Sequence, residues 1–136
     1  SIYGSRVISQ GQYTWKIKIL RINSWAKFNP IFGIIENNPE YLHECKTSDI
    51  YEKIYAYGWS GGARCCCNGN RLKLPWGQSF CKNPGDIITI KLDLVNNTLS
   101  IAVNNDEMDV IYYNIKKCSY RVVVCALYDN NVFQFL

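Results

Sequence analysis

The chain has 136 residues, of which 48% are hydrophobic, 14% aromatic and 19% charged, and it carries a formal net charge of +4. Its basic residues are scattered, unlike the clustered charge of a nucleic-acid interface, and no apolar run reaches the roughly 18 residues of a membrane span. We therefore expect one domain over residues 1–136, cut from a longer polypeptide, with its own core and with neither nucleic acid nor membrane as a partner.

Alternating apolar and polar residues predict strands in the N-terminal part of the chain. Ile2–Gln10 is predicted as a short first strand, and Tyr13–Ile19 as a stronger strand whose alternate residues face the core. The polar connection Arg21–Pro30 then leads to a short buried strand, Phe32–Ile35. Gly33 within that strand predicts a close approach by a neighbouring backbone or side chain.

The strand pattern weakens over Glu36–Ala56. Asn38 followed by Pro39 is typical of a helix start, so a single helical turn is predicted over residues 41–43. A connection of about 20 residues between strands is unusual in a compact domain, and such loops are disproportionately functional. A surface insertion without a role is the alternative.

A further strand, Tyr57–Trp59, is followed by turn residues at Ser60–Gly62. Asn68–Asn70 is a second turn signal, typical of a hairpin. Trp76 lies between a proline and a glycine, and it either caps the core from a loop or stands exposed as an anchor. The glycines of this region match no phosphate-binding motif.

The strongest pattern is Gly85–Asn105, which predicts a hairpin of two strands around Asn96–Asn97. Its apolar residues share one face and are Ile88, Ile90, Leu92, Leu94, Leu99, Ile101 and Val103. A central hairpin with one apolar face must be covered by another sheet, so the expected fold is all-β, with two antiparallel sheets packed face to face. The residues expected inside are Trp15, Ile17, Ile34, Leu92, Leu99, Ile101 and Val124.

The C-terminal part of the chain predicts three more strands. Val110–Tyr113 comes first, and the β-branched run Tyr120–Leu127 follows it. Val132–Leu136 is expected to pair back on that run across the polar tip Tyr128–Asn131.

The hairpin run GDIITIKLDLVNNTLSIAVNND resembles the signature of SPRY domains. Other segments of the chain resemble the family's strands in the expected order, and these are Gly11–Ile17, Phe32–Ile35, Tyr57–Trp59, Met108–Tyr112 and Tyr120–Phe135. The resemblance implies a bent, concanavalin-like sandwich of two antiparallel sheets with little helix. No motif of the PRY half of the larger PRY-SPRY module is visible.

The resemblance also implies a non-catalytic, monomeric interaction module that holds a short peptide segment of a partner protein, as in the substrate-recognition part of a ubiquitin ligase or a scaffold. Its variable loops correspond to Glu36–Ala56, Ser60–Ser79 and Tyr128–Asn131, which we expect to converge at one end of the sandwich. The candidate contacts are Tyr51, Arg64, Trp76 and Tyr128 as anchors, with Asp129 and Asn130 orienting the bound backbone. Asp129 stands where the family's peptide-binding members have glycine.

Catalysis is not expected, because His43 is the only histidine and the carboxylates are scattered. No cofactor is expected either. The second function class is a lectin-like sandwich that binds a carbohydrate or a small ligand, since such proteins also use loop Trp and Asn residues. The absence of a clustered Asp-Asn calcium site argues against it.

The seven cysteines show neither a zinc-site spacing nor the even number of a closed disulfide framework. They are Cys45, Cys65, Cys66, Cys67, Cys81, Cys118 and Cys125. Cys125 lies in an apolar run and is expected in the core. A metal site built from the Cys65–Cys67 triplet with His43 and Cys45 is the less favoured interpretation, and reduced thiols in a cytoplasmic protein are expected instead.

If the thiols are reduced, the denatured protein should react with a thiol reagent at close to seven sites per chain without prior reduction. Absorbance titration in guanidinium chloride, with and without reductant, measures this number directly. Three intact disulfides would contradict the expected reducing compartment.

Overall fold

The computed structural model describes residues 2–21, 30–47, 53–60, 64–65, 83–125 and 132–136, with only the backbone described at positions 47, 60, 64 and 65. In chain order, the elements of these residues are β1 (Ile2–Tyr3), β2 (Gln12–Arg21), β3 (Ile31–Glu36), α1 (Pro39–Thr47), β4 (Ala56–Ser60), β5 (Arg64–Cys65), β6 (Ile87–Asp93), β7 (Thr98–Val103), β8 (Asp109–Tyr112), β9 (Tyr120–Cys125) and β10 (Val132–Phe135).

The strands form two five-stranded antiparallel sheets. The first sheet has the order β1-β9-β3-β4-β5, and the second has the order β10-β2-β6-β7-β8. This arrangement confirms the prediction of an all-β fold with two antiparallel sheets.

The predicted hairpin forms the centre of the second sheet. Its strands β6 and β7 pair in the register Ile90 to Ile101 and Leu92 to Leu99, and β2 pairs along the other edge of β6. Asn97 in the turn has φ 57°, a left-handed conformation that asparagine tolerates better than most residues.

The main core lies between the two sheets and contains every residue expected there. Trp15, Ile17, Ile34, Leu92, Leu99, Ile101 and Val124 are all buried. Among the described residues, the largest wholly buried side chains are Trp59, Tyr120 and Phe32, all of which come from the first sheet. Cys125 is also buried, as predicted, but it lies on the opposite face of the first sheet.

Strand β3 is apolar on both faces. Phe32 and Ile34 belong to the main core, whereas Ile31 and Ile35 pack in a second cluster with Leu42 and other residues beneath α1. The first sheet is therefore covered on one face by the second sheet and on the other face by the helix.

Helix α1 begins where the sequence predicts but is longer than the expected single turn. The Oδ1 atom of Asn38 accepts a hydrogen bond of 2.9 Å from the backbone N–H of Glu40, as an N-cap residue does. The helix continues to Thr47 because Leu42 and Cys45, three residues apart, bury one face of it against the first sheet.

Two predicted strands differ from the structure. The first strand covers only Ile2–Tyr3, and Ile8 forms an isolated bridge to Tyr120. Strand β10 pairs with β2 of the second sheet, and the prediction that it pairs with β9 is wrong. Both edges of β9 are already occupied, by β1 and β3, so the chain crosses to the other sheet.

The close approach predicted at Gly33 is confirmed, because β3 and β4 pair there with a glycine on each strand. Gly33 pairs with Gly58 in the sheet. A Cβ atom added to Gly33 would lie 2.7 Å from the Cα of Gly58 and would also overlap the carbonyl of Tyr57. The backbone itself leaves no room for a side chain.

We expect Gly33→Ala to destabilise the fold by about 3 kcal/mol or more, because a backbone clash cannot be relieved by a rotamer change. Gly11→Ala is the control, since Gly11 has φ 73° but open space around its Cα, and it should cost only about 1–2 kcal/mol. Urea unfolding measures both changes. If both variants lost the same free energy of unfolding, the close approach of β3 and β4 would not be the reason that position 33 requires glycine.

Asp93 ties the β6–β7 turn to its strands. Its Oδ1 accepts hydrogen bonds of 2.9 Å from the backbone N–H groups of Val95 and Asn96, and its Oδ2 accepts bonds from the side-chain amides of Asn96 and Gln12. The bonds from Asn96 lower the pKa of the Asp93 carboxyl. The role of this carboxylate is therefore structural, through hydrogen bonds to the adjacent turn.

Since the pKa of Asp93 is lower in the folded than in the unfolded chain, its carboxylate stabilises the fold above the unfolded pKa of about 3.9, and this contribution is lost as the pH falls through the folded pKa. Asp93→Asn should therefore lower the melting temperature most near about pH 7 and least near about pH 2. Asp106→Asn, at an exposed carboxylate, should change little at either pH. A pH-independent deficit in Asp93→Asn would contradict the ionic role.

Candidate functional site

A groove lies between α1 and the edge of the first sheet formed by β1 and β9. Its volume is about 510 Å³, and it is lined by Tyr3, Asn37, Pro39, Leu42, His43, Lys46 and Arg121. The four helical residues follow the spacing i, i+3, i+4 and i+7, which places them on one face of α1. The groove is therefore a consequence of how the helix lies on the sheet.

Arg121 is held in place by neutral acceptors. Its Nε donates a hydrogen bond of 2.7 Å to Oδ1 of Asn37. Its Nη1 donates to the carbonyls of Gly4, at 3.3 Å, and Ser5, at 3.2 Å. These bonds orient the guanidinium and hold the start of the chain against β9. Because all three acceptors are neutral, the bonds leave the positive charge of Arg121 uncompensated.

Two basic side chains, those of Lys46 and Arg121, lie over the ring of Tyr3. Pairing of β1 with β9 sets Tyr3 opposite Val123, so the ring packs against the cluster beneath α1. The Nζ atom of Lys46 lies 5.8 Å from the ring centroid and the Cζ atom of Arg121 lies 5.6 Å from it. Both distances fall in the range of cation–π interactions.

The groove is basic, and among the described residues its two cations lack the carboxylate partner that Lys53 and Lys116 have. Lys116 pairs with Glu36 at 3.0 Å, and this carboxylate raises the pKa of Lys116. Lys53 pairs with Glu44 at 2.5 Å, and the pair lowers the pKa of the Glu44 carboxyl. Within the part of the chain that the structure describes, neither Lys46 nor Arg121 has such a carboxylate partner, and no acidic residue lines the groove.

The structure describes none of the side chains of the six residues predicted to contact a partner, so it does not test that prediction. The side chain of Arg64 is not described, although its backbone belongs to β5. The others lie outside the described residues and are Tyr51, Trp76, Tyr128, Asp129 and Asn130. All six stay predictions.

The expected convergence of the three loop segments at one end is wrong for the stems of Glu36–Ala56. Ile35 pairs with Ala56 at one end of the first sheet, whereas Ile31 pairs with both Ser60 and Cys125 at the opposite end. The segments after Ser60 and Cys125 therefore leave from one end, and the connection that contains α1 leaves from the other. Antiparallel pairing of β3 with both neighbours imposes this separation.

Two of the described thiols are not activated. Cys45 and Cys118 are free cysteines. Burial raises the pKa of the Cys45 thiol, and it also raises that of Cys118, which disfavours the reactive thiolate. Cys118 donates a hydrogen bond of 3.3 Å to the Glu36 carboxylate.

The His, Cys, Asp and Glu side chains of the described residues form no group of three or more that could hold a metal ion. The one helix of these residues is too short to cross a bilayer. The proposed triplet Cys65–Cys67 falls almost wholly outside this part of the chain.

Sequence reasoning did not find the groove. The spacing of Pro39, Leu42, His43 and Lys46 was a usable local signal once the helix was known to extend past one turn. Tyr3 and Arg121, in contrast, lie far apart in the sequence, and only the pairing of β1 with β9 brings them together.

Comparison with known proteins gives a clear answer for the fold. No family model matches the sequence, and no curated protein matches it. Among solved structures, the SPRY domain of human HERC1 superposes with a TM-score of 0.78 at 19% identity, over 98% of this chain and 79% of that chain. The TRIM65 PSpry domain superposes with a TM-score of 0.68 at 11% identity, over 98% of this chain and 69% of that one. The chain has the fold of a SPRY domain.

Proposed function

We propose that this chain is a non-catalytic protein-interaction domain that recognises a short segment of a partner protein. The observation that carries the proposal is the SPRY fold over 98% of the chain. SPRY domains generally act as protein-interaction modules. In a longer polypeptide, such a domain would serve as the substrate-recognition part of a ubiquitin ligase or of a scaffold, and we place it, as a monomeric domain with reduced thiols, in the cytoplasm.

The arrangement of the scaffold supports recognition through the loops that join the strands. Two packed sheets fix the backbone positions from which these loops leave, and a fixed scaffold lowers the entropy that a binding site loses on complex formation. Ser60 and Cys125 lie at the same end of the first sheet. The chain that follows them leads to Arg64 on one side and to the tip Tyr128–Asn130 on the other, so these candidate contacts form the better-supported part of the predicted site.

The other predicted anchors need separate tests. Tyr51 follows α1, in the connection that leaves from the opposite end of the sheet. Trp76 lies in the segment between β5 and β6. We retain both as candidates, because Trp, Tyr and Arg are the residues that most often dominate binding at protein interfaces.

A peptide-display screen run beside a glycan array tests the proposed function against the carbohydrate-binding alternative. We expect short peptides to be enriched and no glycan to bind. Tyr128→Ala or Arg64→Ala should weaken an enriched peptide by roughly 2 kcal/mol or more, with a change in stability of only about 0.5 kcal/mol. Selective glycan binding without peptide binding would overturn the proposal.

Thr14→Ala is a control for these variants, since Thr14 is exposed on β2, in the other sheet. It should leave peptide affinity unchanged and lower stability by at most about 1 kcal/mol. Trp76→Ala and Tyr51→Ala, measured in the same series, show whether the two remaining candidates belong to the site.

A further inference from the structure

We propose that the basic groove between α1 and the β1–β9 edge is a second binding surface, which takes an extended acidic segment of a protein partner. In this complex, carboxylates of the partner contact Lys46 and Arg121, and an apolar side chain packs against Pro39 and Tyr3. The inference rests on the proposed function only in that the ligand is a protein segment.

Uncompensated charge is the first argument. The described residues offer a carboxylate to Lys53 and Lys116 but none to Lys46 or Arg121. Among the same residues, exposed lysines such as Lys16 also lack one, so the distinguishing feature is that two such cations lie over one ring, that of Tyr3. The described hydrogen bonds of Arg121 use Nε and Nη1 only. Its Nη2 group therefore remains available to a carboxylate oxygen of a ligand, in a charge-assisted hydrogen bond.

Preorganisation is the second argument. Asn37 and the carbonyls of Gly4 and Ser5 already fix the guanidinium of Arg121, and the ring of Tyr3 orients both cations. A ligand would therefore lose less side-chain entropy on binding than at two free surface cations. Because both cations contact one ring, acidic residues at alternate positions of an extended segment, about 7 Å apart, could reach both.

The wall of the groove selects among anions. Leu42 is buried in the cluster beneath α1, and Pro39 and Tyr3 extend the apolar surface beside it. A peptide with an apolar residue between acidic ones would cover this surface and gain from its burial. A nucleic acid or polyphosphate would meet the charge but would leave the apolar wall uncovered. The mixed chemistry therefore favours an acidic protein segment.

The test uses a fluorescein-labelled peptide in which Asp and Leu alternate, with Gly at both ends, and a matched peptide with Asn in place of Asp. Fluorescence anisotropy at low salt should show saturable binding of the acidic peptide and at least about tenfold weaker binding of the Asn peptide. Lys46→Glu should weaken the acidic peptide by about tenfold or more. Raised salt should also weaken it, since the charges are near the surface.

Lys16→Glu is the control, because it makes the same charge change at an exposed position of β2, in the other sheet. It should alter the affinity by no more than about twofold. If Lys16→Glu and Lys46→Glu weakened binding of the acidic peptide equally, the net charge of the protein would explain the effect, and the proposal would be overturned. The proposal is equally overturned if the acidic peptide does not bind, or if an oligonucleotide of equal charge competes as well as the peptide.

The two proposed binding surfaces can be tested separately. Tyr128→Ala should leave the acidic peptide bound and weaken the display-selected peptides, and Lys46→Glu should do the reverse. If Tyr128→Ala alone abolishes binding of the acidic peptide, the groove is not its site, although the proposed function stands. Arg121→Met gives an independent test of the groove, provided that its melting curve shows a folded protein.

Discussion

Burial of β3 on both faces is the constraint on which the rest of the structure depends. Phe32 and Ile34 face the second sheet, while Ile31 and Ile35 face the other way. An antiparallel sheet with only one covered face would leave the second pair in water, at a cost of about 1.5–3 kcal/mol for each side chain. Helix α1 removes that cost, and its presence on this face creates the groove beside β1 and β9.

The groove also contributes to the stability of the fold. Arg121 joins β9 to the start of the chain through the carbonyls of Gly4 and Ser5, and to the segment before α1 through Asn37. The same guanidinium remains without a carboxylate among the described residues. A structural role and an unneutralised charge are thus combined in one side chain, so substitutions of Arg121 are poor probes of binding alone, whereas Lys46 separates the two effects.

Identity of 19% with one SPRY domain and 11% with another shows how little of this fold resides in particular residues. What the fold requires is an apolar face on each strand, turns that accept residues such as Asn97 at positive φ, and backbones that can approach closely at Gly33. These requirements leave the loops and the outer helix open to variation. For that reason the fold alone does not identify a partner.

The sequence by itself determined the local elements. Period-two alternation over residues 85–105 sufficed for β6 and β7, the Asn-Asn pair for their turn, and Asn38 with Pro39 for the start of α1, because each depends on neighbours in the chain. Only the tertiary structure decided the partner of β10, the separation of the loop stems and the groove of Tyr3, Lys46 and Arg121. Strand pairing between distant segments creates these features, and local pattern does not specify which strand edges remain open.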